Sequence, residues 1–505
     1  MDDPVTTTIP HLSCSITLWL LFLTTAFLFV RGHRRKASST AGALGKLAAP
    51  ATTSSSLLAS LIRARPGAQG QAQGSRRGLS IQVTDRAVAH RALVQHSAAF
   101  LDRPTGAVPS TILTRNRHYN ILSAPYGPYW RAARRNAAAG ALHPSRLRLL
   151  GGTRARALGG LVRALAGGAP AGESLHFAVH SVLAEMCFGE GVVSELGEAK
   201  LRAMQRLQRE ILLALPSFGV FVRYPEDRQA ALPGAQEESF LPIVAEVKKR
   251  RAAAGGHDGS IFTTYVESLL DLRVHGDGDR AVTDGELVSL ISEFLGAGTE
   301  STAAALEWTM ANLVKNPELQ QKLRLEVDAV AVAGGEGVIE EADLARLPYL
   351  KAVVLESLRR HPPVPFVLRH VDGEDAAKAL GVSSGLPDGG ATVNFLVGKI
   401  GRDPAAWSDP MSFTPERFMP GGEGEGADLT CTRELRMMPF GAGRRVCPGL
   451  APAMLHLEYF VANLVREFEW WELADGDEVD LAEFRGFFFT IMNRPLRARL
   501  VPRRG

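Results

Sequence analysis

The sequence predicts a mainly helical chain with a few short strands. Three observations carry that expectation. A helical pattern runs unbroken from Thr283 to about Lys315, where Asn316-Pro317 stops it. A second, strongly apolar, covers residues 450–468, and residues 141–255 read as several amphipathic helices with few prolines. Against these, only residues 79–83, 366–371 and 392–397 read as strands.

The composition bounds the function classes. With 505 residues, 46% apolar and 22% charged, the chain has ample material for a large core. A net charge of +4 is too small over this length to suggest nucleic-acid binding. The four cysteines, Cys14, Cys187, Cys431 and Cys447, are irregularly spaced and form no CxxC pair. That argues against a disulfide framework or a zinc site and fits a reducing compartment.

Residues 9–30 are almost wholly apolar and reach the roughly 20 residues that a bilayer span needs. Asp2 and Asp3 precede them; Arg31, Arg34, Arg35 and Lys36 follow. A cleaved leader carries its positive charge before the apolar run, so residues 1–36 are expected to be an uncleaved anchor. The basic cluster then places the following chain on the cytosolic side. Residues 37–78, rich in Ala, Ser, Gly and Thr, read as a linker, which leaves residues 79–505 as the main folded domain.

Within that domain, Thr84-Asp85 opens a short helix over residues 87–95 after the first strand. Trp130 and Arg134 stand four apart, so a helix sets both on one face. Residues 212–224 are apolar and fall between two helices, either meeting a membrane near a substrate entrance or joining the core. Thr283-Asp-Gly-Glu286 is a capping box that starts the long helix, about 45 Å from end to end. Gly296 and Gly298 lie in its middle, at a cost of about 1 kcal/mol each against alanine. A flat ligand pressed on that face would account for them.

The stretch Phe440-Gly-Ala-Gly-Arg-Arg-Val-Cys-Pro-Gly449 carries the chemistry. A thiolate that binds iron needs such a setting. Glycines allow unusual backbone angles and close approach to a flat group. Turn N–H groups lower the basicity of the sulfur, and the helix that follows adds a positive dipole end. Phe440, Gly441, Gly443, Arg445, Cys447 and Gly449 together resemble the haem-binding signature Phe-x-x-Gly-x-Arg-x-Cys-x-Gly of cytochromes P450. Met437 to Pro448, and then Leu455-His-Leu-Glu-Tyr-Phe-Val-Ala-Asn-Leu464, are similar to plant A-type members, most of all to the plant family numbered eighty-nine.

The resemblance covers residues 78 to the C-terminus, and its implications are specific. The fold would be the mainly helical P450 fold with a small β-rich part, preceded by the transmembrane helix. Cys447 would bind the iron of haem b, and Arg445, Trp130, Arg134 and His370 would meet its propionates. Ala297 and Gly298 would lie against the ring. Glu300 and Ser301, with Thr302 beside them, match the acid–alcohol pair that relays protons, Ser301 standing where threonine is usual. Glu356 and Arg359, with Arg417 of Pro415-Glu-Arg417-Phe, match the buried brace of the family. Substrate contacts would come from residues 108–122, 293–302, 364–367 and 487–489. The implied reaction inserts one oxygen atom of O2 into an apolar or amphipathic small molecule, at the endoplasmic reticulum membrane. Electrons would come from NADPH through a P450 reductase docked near Arg433, Arg436 and Arg444. A reductase-independent isomerase or dehydratase on the same fold, and a non-catalytic membrane-anchored haem binder, share the same residues.

Overall fold

The computed structural model describes residues 79–104, 119–214, 226–254, 264–333, 337–473, 478–484 and 489–503. The expected membrane anchor and the linker lie outside these residues. Among the described residues, no helix is long and apolar enough to cross a membrane.

The first strand, β1 (Leu79–Val83), is followed by Asp85, whose carboxylate accepts the N–H groups of Ala87 and Val88 at 2.7 and 3.0 Å. The turn so capped is α-helical over Arg86–His90 and then widens to a π turn over Arg91–Gln95. Four helices build one flank of the core. These are α1 (Pro128–Ala139), α2 (Gly151–Ala166), α3 (Ala171–Phe188) and α4 (Glu190–Ala214). They lead to the spine, α5 (Asp284–Lys315). Both halves of the predicted capping box are present: the Glu286 N–H donates to Thr283 Oγ1 at 3.2 Å, and the Thr283 N–H donates to Glu286 Oε2 at 2.8 Å. The last turns of α5 are buried on every side, from Thr302 to Val314, because α5 packs against α3 as well as two helices still to come. A helix apolar all round belongs in the centre of a large domain.

Those partners are α6 (Pro348–Arg360) and α7 (Leu450–Glu467). Between them lie β2 (Val367–Val371) and β3 (Ala391–Phe395). The sheet has the order β1-β3-β2; β3 runs parallel to β1, with Leu79 opposite Ala391, and antiparallel to β2, with Val367 opposite Phe395. Strand alternation turns Ile81, Val83, Val371, Val393 and Phe395 into a second, smaller core. The sequence pattern predicts a third strand as far as Val397, whereas Val397 already begins a short helical turn, Val397–Ile400.

The glycines of α5 have a reason beyond the expected one. A Cβ on Gly298 would stand 2.8 Å from Leu183 Cδ1 of α3, and one on Gly296 3.0 Å from Gln208 Oε1 of α4. Close packing of α3 and α4 against the spine leaves little room there, and a side chain would have to push the ends of Leu183 and Gln208 aside. Gly298 also lines the cavity described next, so it serves both neighbours.

Candidate functional site

A cavity of about 320 Å³ lies between α5 and the cysteine loop. Its floor is the segment Pro439-Phe440-Gly441 with Arg445, Cys447, Pro448 and Gly449. Cys447 N donates to Phe440 O at 2.8 Å, which closes the loop on itself. Burial pushes the Cys447 thiol above its ordinary value, while the backbone N–H of Gly449 and the charge of Arg134 work in the opposite direction. The expected N–H group aimed at the sulfur is therefore that of Gly449, the residue that caps α7.

Two loop glycines sit at positive φ, Gly441 at 72° and Gly443 at 71°. For Gly443 the deciding contact is with the chain itself: a Cβ would stand 1.8 Å from the carbonyl oxygen of Leu93. Gly443 is not among the cavity-lining residues, unlike Phe440, Gly441 and Gly449.

One end of the cavity is cationic. Arg134 donates to Val446 O, and Arg445 to Ala124 O at 2.7 Å. The indole of Trp130 lies beneath both guanidiniums, 5.6 Å from Arg134 and 4.8 Å from Arg445. Two further arginines join them. Arg103 donates to Leu368 O at 2.7 Å, and Arg369 is almost fully buried; the Nε of each is enclosed without a hydrogen-bond partner. Burial and mutual repulsion bring Arg103 down to about 9 and Arg445 to about 10, with Arg369 well below its ordinary value.

Strand alternation decides between neighbours on β2. The sequence singled out His370, but its imidazole lies against Gly390, where a Cβ would stand 3.0 Å from Cε1, and it does not line the cavity. Arg369 does. Arg103 had no signal in the sequence, since it lies in an irregular segment.

The wall opposite the sulfur is one face of α5: Glu293, Phe294, Ala297, Gly298, Ser301, Thr302 and Ala305. Ser301 Oγ donates to Ala297 O at 2.7 Å. Glu300 is not on this wall. Its carboxylate is buried on the far side of the helix, 3.6 Å from His176 Nδ1 and 3.4 Å from Arg209 Nη1. Burial opposes its charge, but His176 and Arg209 outweigh that and hold Glu300 below the ordinary carboxylate range. The pair expected to act together is thus split across the helix, as a step of about 100° per residue requires.

Behind the floor, the brace is assembled as expected. Arg359 grips Glu356 through Nε and Nη2 at 2.6 and 2.8 Å, and Arg417 Nε approaches the same carboxylate at 3.3 Å. Thr414 N adds a bond to Glu356 at 2.8 Å. Arg359 also donates to Gly401 O and Pro410 O, and Arg417 to Asp409 O, so the loop ahead of Cys447 is held to α6.

A cytochrome P450 family model matches residues 78–499. The chain belongs to the cytochrome P450 family. Cytochrome P450 89A9 of Arabidopsis thaliana is 40% identical over 445 residues, covering 84% of this chain and 84% of that protein. The flavonoid 3'-monooxygenase of Arabidopsis thaliana is 29% identical, covering 78% of this chain and 77% of that protein. Among solved structures, a zebra fish cytochrome P450 with abiraterone superposes with a TM-score of 0.68 at 22% identity, covering 86% of this chain and 96% of that one. At that identity the likeness speaks for the fold.

The protein is a P450 oxidoreductase whose cofactor is haem b. The residues present fit that group. A half-buried cysteine faces a slot walled by a helix of small residues, and two orphaned guanidinium nitrogens sit at one edge. Four arginines facing one carboxylate, Glu293, leave an excess of positive charge that two propionates would largely offset.

Proposed function

We propose that the chain inserts one atom of O2 into an apolar or amphipathic small molecule of plant metabolism. Electrons would come from NADPH through a membrane-bound P450 reductase. The observation that carries this reading is the placement of Cys447 beneath the Ala297–Ser301 face of α5 within one cavity. Bound there, the haem supplies oxygen activation, with a thiolate ligand that favours O–O cleavage.

The protein's own residues have separable tasks. Cys447 holds the iron, and Gly449 N–H moderates the sulfur. Arg103, Arg134, Arg369, Arg445 and Trp130 hold the propionate edge. Ser301 Oγ and the hydroxyl of Thr302 hold protons at the cavity wall, and Glu300, held as an anion by His176 and Arg209 behind the helix, accepts a proton and passes it on. Leu122, Phe294, Val364, Phe366 and Phe489 give the substrate side its apolar lining and exclude water. The names of relatives such as the flavonoid 3'-monooxygenase support oxygen insertion into a small plant metabolite.

Residues 1–36 would anchor the enzyme in the endoplasmic reticulum membrane with the domain in the cytosol. Arg433 and Arg444 present exposed charge near the cysteine loop for an acidic flavoprotein, while Arg436 is tied to Glu434 at 2.9 Å and to Glu423 O.

The test is spectroscopic and then catalytic. Reduced, carbon-monoxide-treated protein is expected to show the red-shifted Soret band of thiolate ligation, lost in Cys447→Ala. With purified reductase and NADPH, a panel of apolar plant metabolites is expected to yield oxygenated product. Haem loading without NADPH consumption across the panel would overturn the monooxygenase reading.

A further inference from the structure

Glu293 is the carboxylate of the cavity wall, and the acid–alcohol chemistry makes no use of it. It sits four and eight residues before Ala297 and Ser301, hence on the same face of α5. Both its oxygens are occupied by the turn at residues 119–124: Ile121 N donates to Oε2 at 2.9 Å and Leu122 N to Oε1 at 2.6 Å. The same turn is held from the other side. Trp130 Nε1 donates to Ile121 O at 3.0 Å, Tyr129 Oη to Tyr119 O at 2.7 Å, and Arg445 to Ala124 O at 2.7 Å. The peptide of Ile121 therefore joins α5 to the indole that lies under the propionate-side arginines. Ile121 and Leu122 both line the cavity, so the position of this turn sets the cavity's width on the side away from the sulfur.

We propose that Glu293 is a positioning residue for substrate, holding Ile121 and Leu122 against the distal helix so that large ligands are selected by the wall it fixes. An ionised carboxylate accepts both N–H groups; a protonated one turns one oxygen into a donor facing a donor. Burial raises the Glu293 carboxyl to about 7, against the pull of the Leu122 and Ile121 N–H groups and of Arg103 and Arg134. The other titratable groups in its electrostatic reach are Tyr129 of α1, Tyr265 of the helix Tyr265–Leu270, and Arg445 and Cys447 of the cysteine loop. The two tyrosines are raised far above neutrality, the Cys447 thiol is pushed above its ordinary value and Arg445 stays charged up to about 10, which leaves Glu293 as the member of the set that titrates in the neutral range. This inference rests on the haem reading above, and the experiment separates the two.

Full-length holoenzyme, with its Soret and carbon monoxide spectra recorded first, is titrated with pyridine and with 4-phenylpyridine. Both ligate ferric haem iron and both are mainly uncharged between about pH 6 and about pH 8, with the protonated fraction of each ligand subtracted from its concentration. Glu293→Ala and the isosteric Glu293→Gln are expected to weaken 4-phenylpyridine about tenfold, the effect of losing a charge-assisted hydrogen bond, while pyridine stays within about twofold. In the wild type the preference for the larger ligand is expected to fall from about pH 8 to about pH 6, and in Glu293→Gln to be flat. Equal changes for both ligands, or a wild-type preference that ignores pH, overturn the proposal. A wild-type protein lacking the thiolate Soret band strikes the haem reading instead. If the alanine variant does not load haem, the glutamine variant decides the matter alone.

Discussion

The imidazole of His361 lies flat on the indole of Trp308, with ring centroids 3.8 Å apart and planes 3° from parallel. The stack ties the end of α6 to the last turns of α5. Each ring is also anchored at its rim: Trp308 Nε1 donates to Thr490 O at 2.9 Å, and His361 Nδ1 meets Glu483 Oε1 at 3.1 Å, with Arg402 on the same carboxylate.

This arrangement makes stability sensitive to acid. Burial lowers His361 from its ordinary 6.5 to about 4, so the unfolded chain takes up a proton that the folded one refuses between those values. Stability therefore falls as pH drops from 6.5 towards 4. Glu483 extends the trend. Burial opposes its charge, but His361 and Arg402 hold it at about 2, and its contribution is lost as pH falls below the ordinary 4.5. His361→Phe is expected to keep the ring stack and flatten the dependence above pH 4.5. Thermal unfolding of wild type and variant at about pH 7 and about pH 5 checks it; parallel losses in both would show that His361 is not the responsible group.

Glu356 offers a second prediction. It is fully buried with two guanidiniums on it and the Thr414 N–H besides. Glu356→Gln leaves Arg359 charged in the interior with its anion removed and Arg417 with Glu423 alone, which is expected to cost about 3–5 kcal/mol. Because Arg359 and Arg417 also hold the carbonyls of residues 401–410, the variant is expected to lose haem at lower denaturant than wild type. Urea titrations followed by the Soret band and by far-ultraviolet circular dichroism read the two effects separately.

What could be read in the sequence was local. The capping box at Thr283, the Glu356–Arg359 spacing and the cysteine signature each depend on residues within a few positions of one another, and each stands in the structure where the pattern put it. Features that depend on what a second element brings were not readable. Gly296 and Gly298 are visibly costly in the pattern, but the neighbours that crowd them, Gln208 and Leu183, come from helices some 90 to 115 residues away in the chain. Arg369 was passed over for His370 because a strand's two faces look alike until its partner and its buried side are known. Glu300 and Ser301 are adjacent in sequence and for that reason point to different sides of a helix.

The two loop glycines at positive φ differ in a way that a pair of substitutions exposes. Gly441 has φ 72°, yet the nearest atom to an added Cβ is Val367 Cγ2 at 3.9 Å. Gly441→Ala should therefore meet only the backbone penalty for a left-handed residue, about 1–2 kcal/mol. Gly443 has nearly the same φ, but its Cβ would fall 1.8 Å from Leu93 O, a backbone atom of the turn beneath the sheet. That oxygen cannot move without displacing the π turn Arg91–Gln95, so Gly443→Ala must shift the cysteine loop. Gly443→Ala is expected to lower haem occupancy and to convert the thiolate Soret band to a blue-shifted form, whereas Gly441→Ala keeps the band and loses only some thermal stability. Equal behaviour of the two variants would mean that the loop tolerates the displacement and that the Leu93 contact does not set its position.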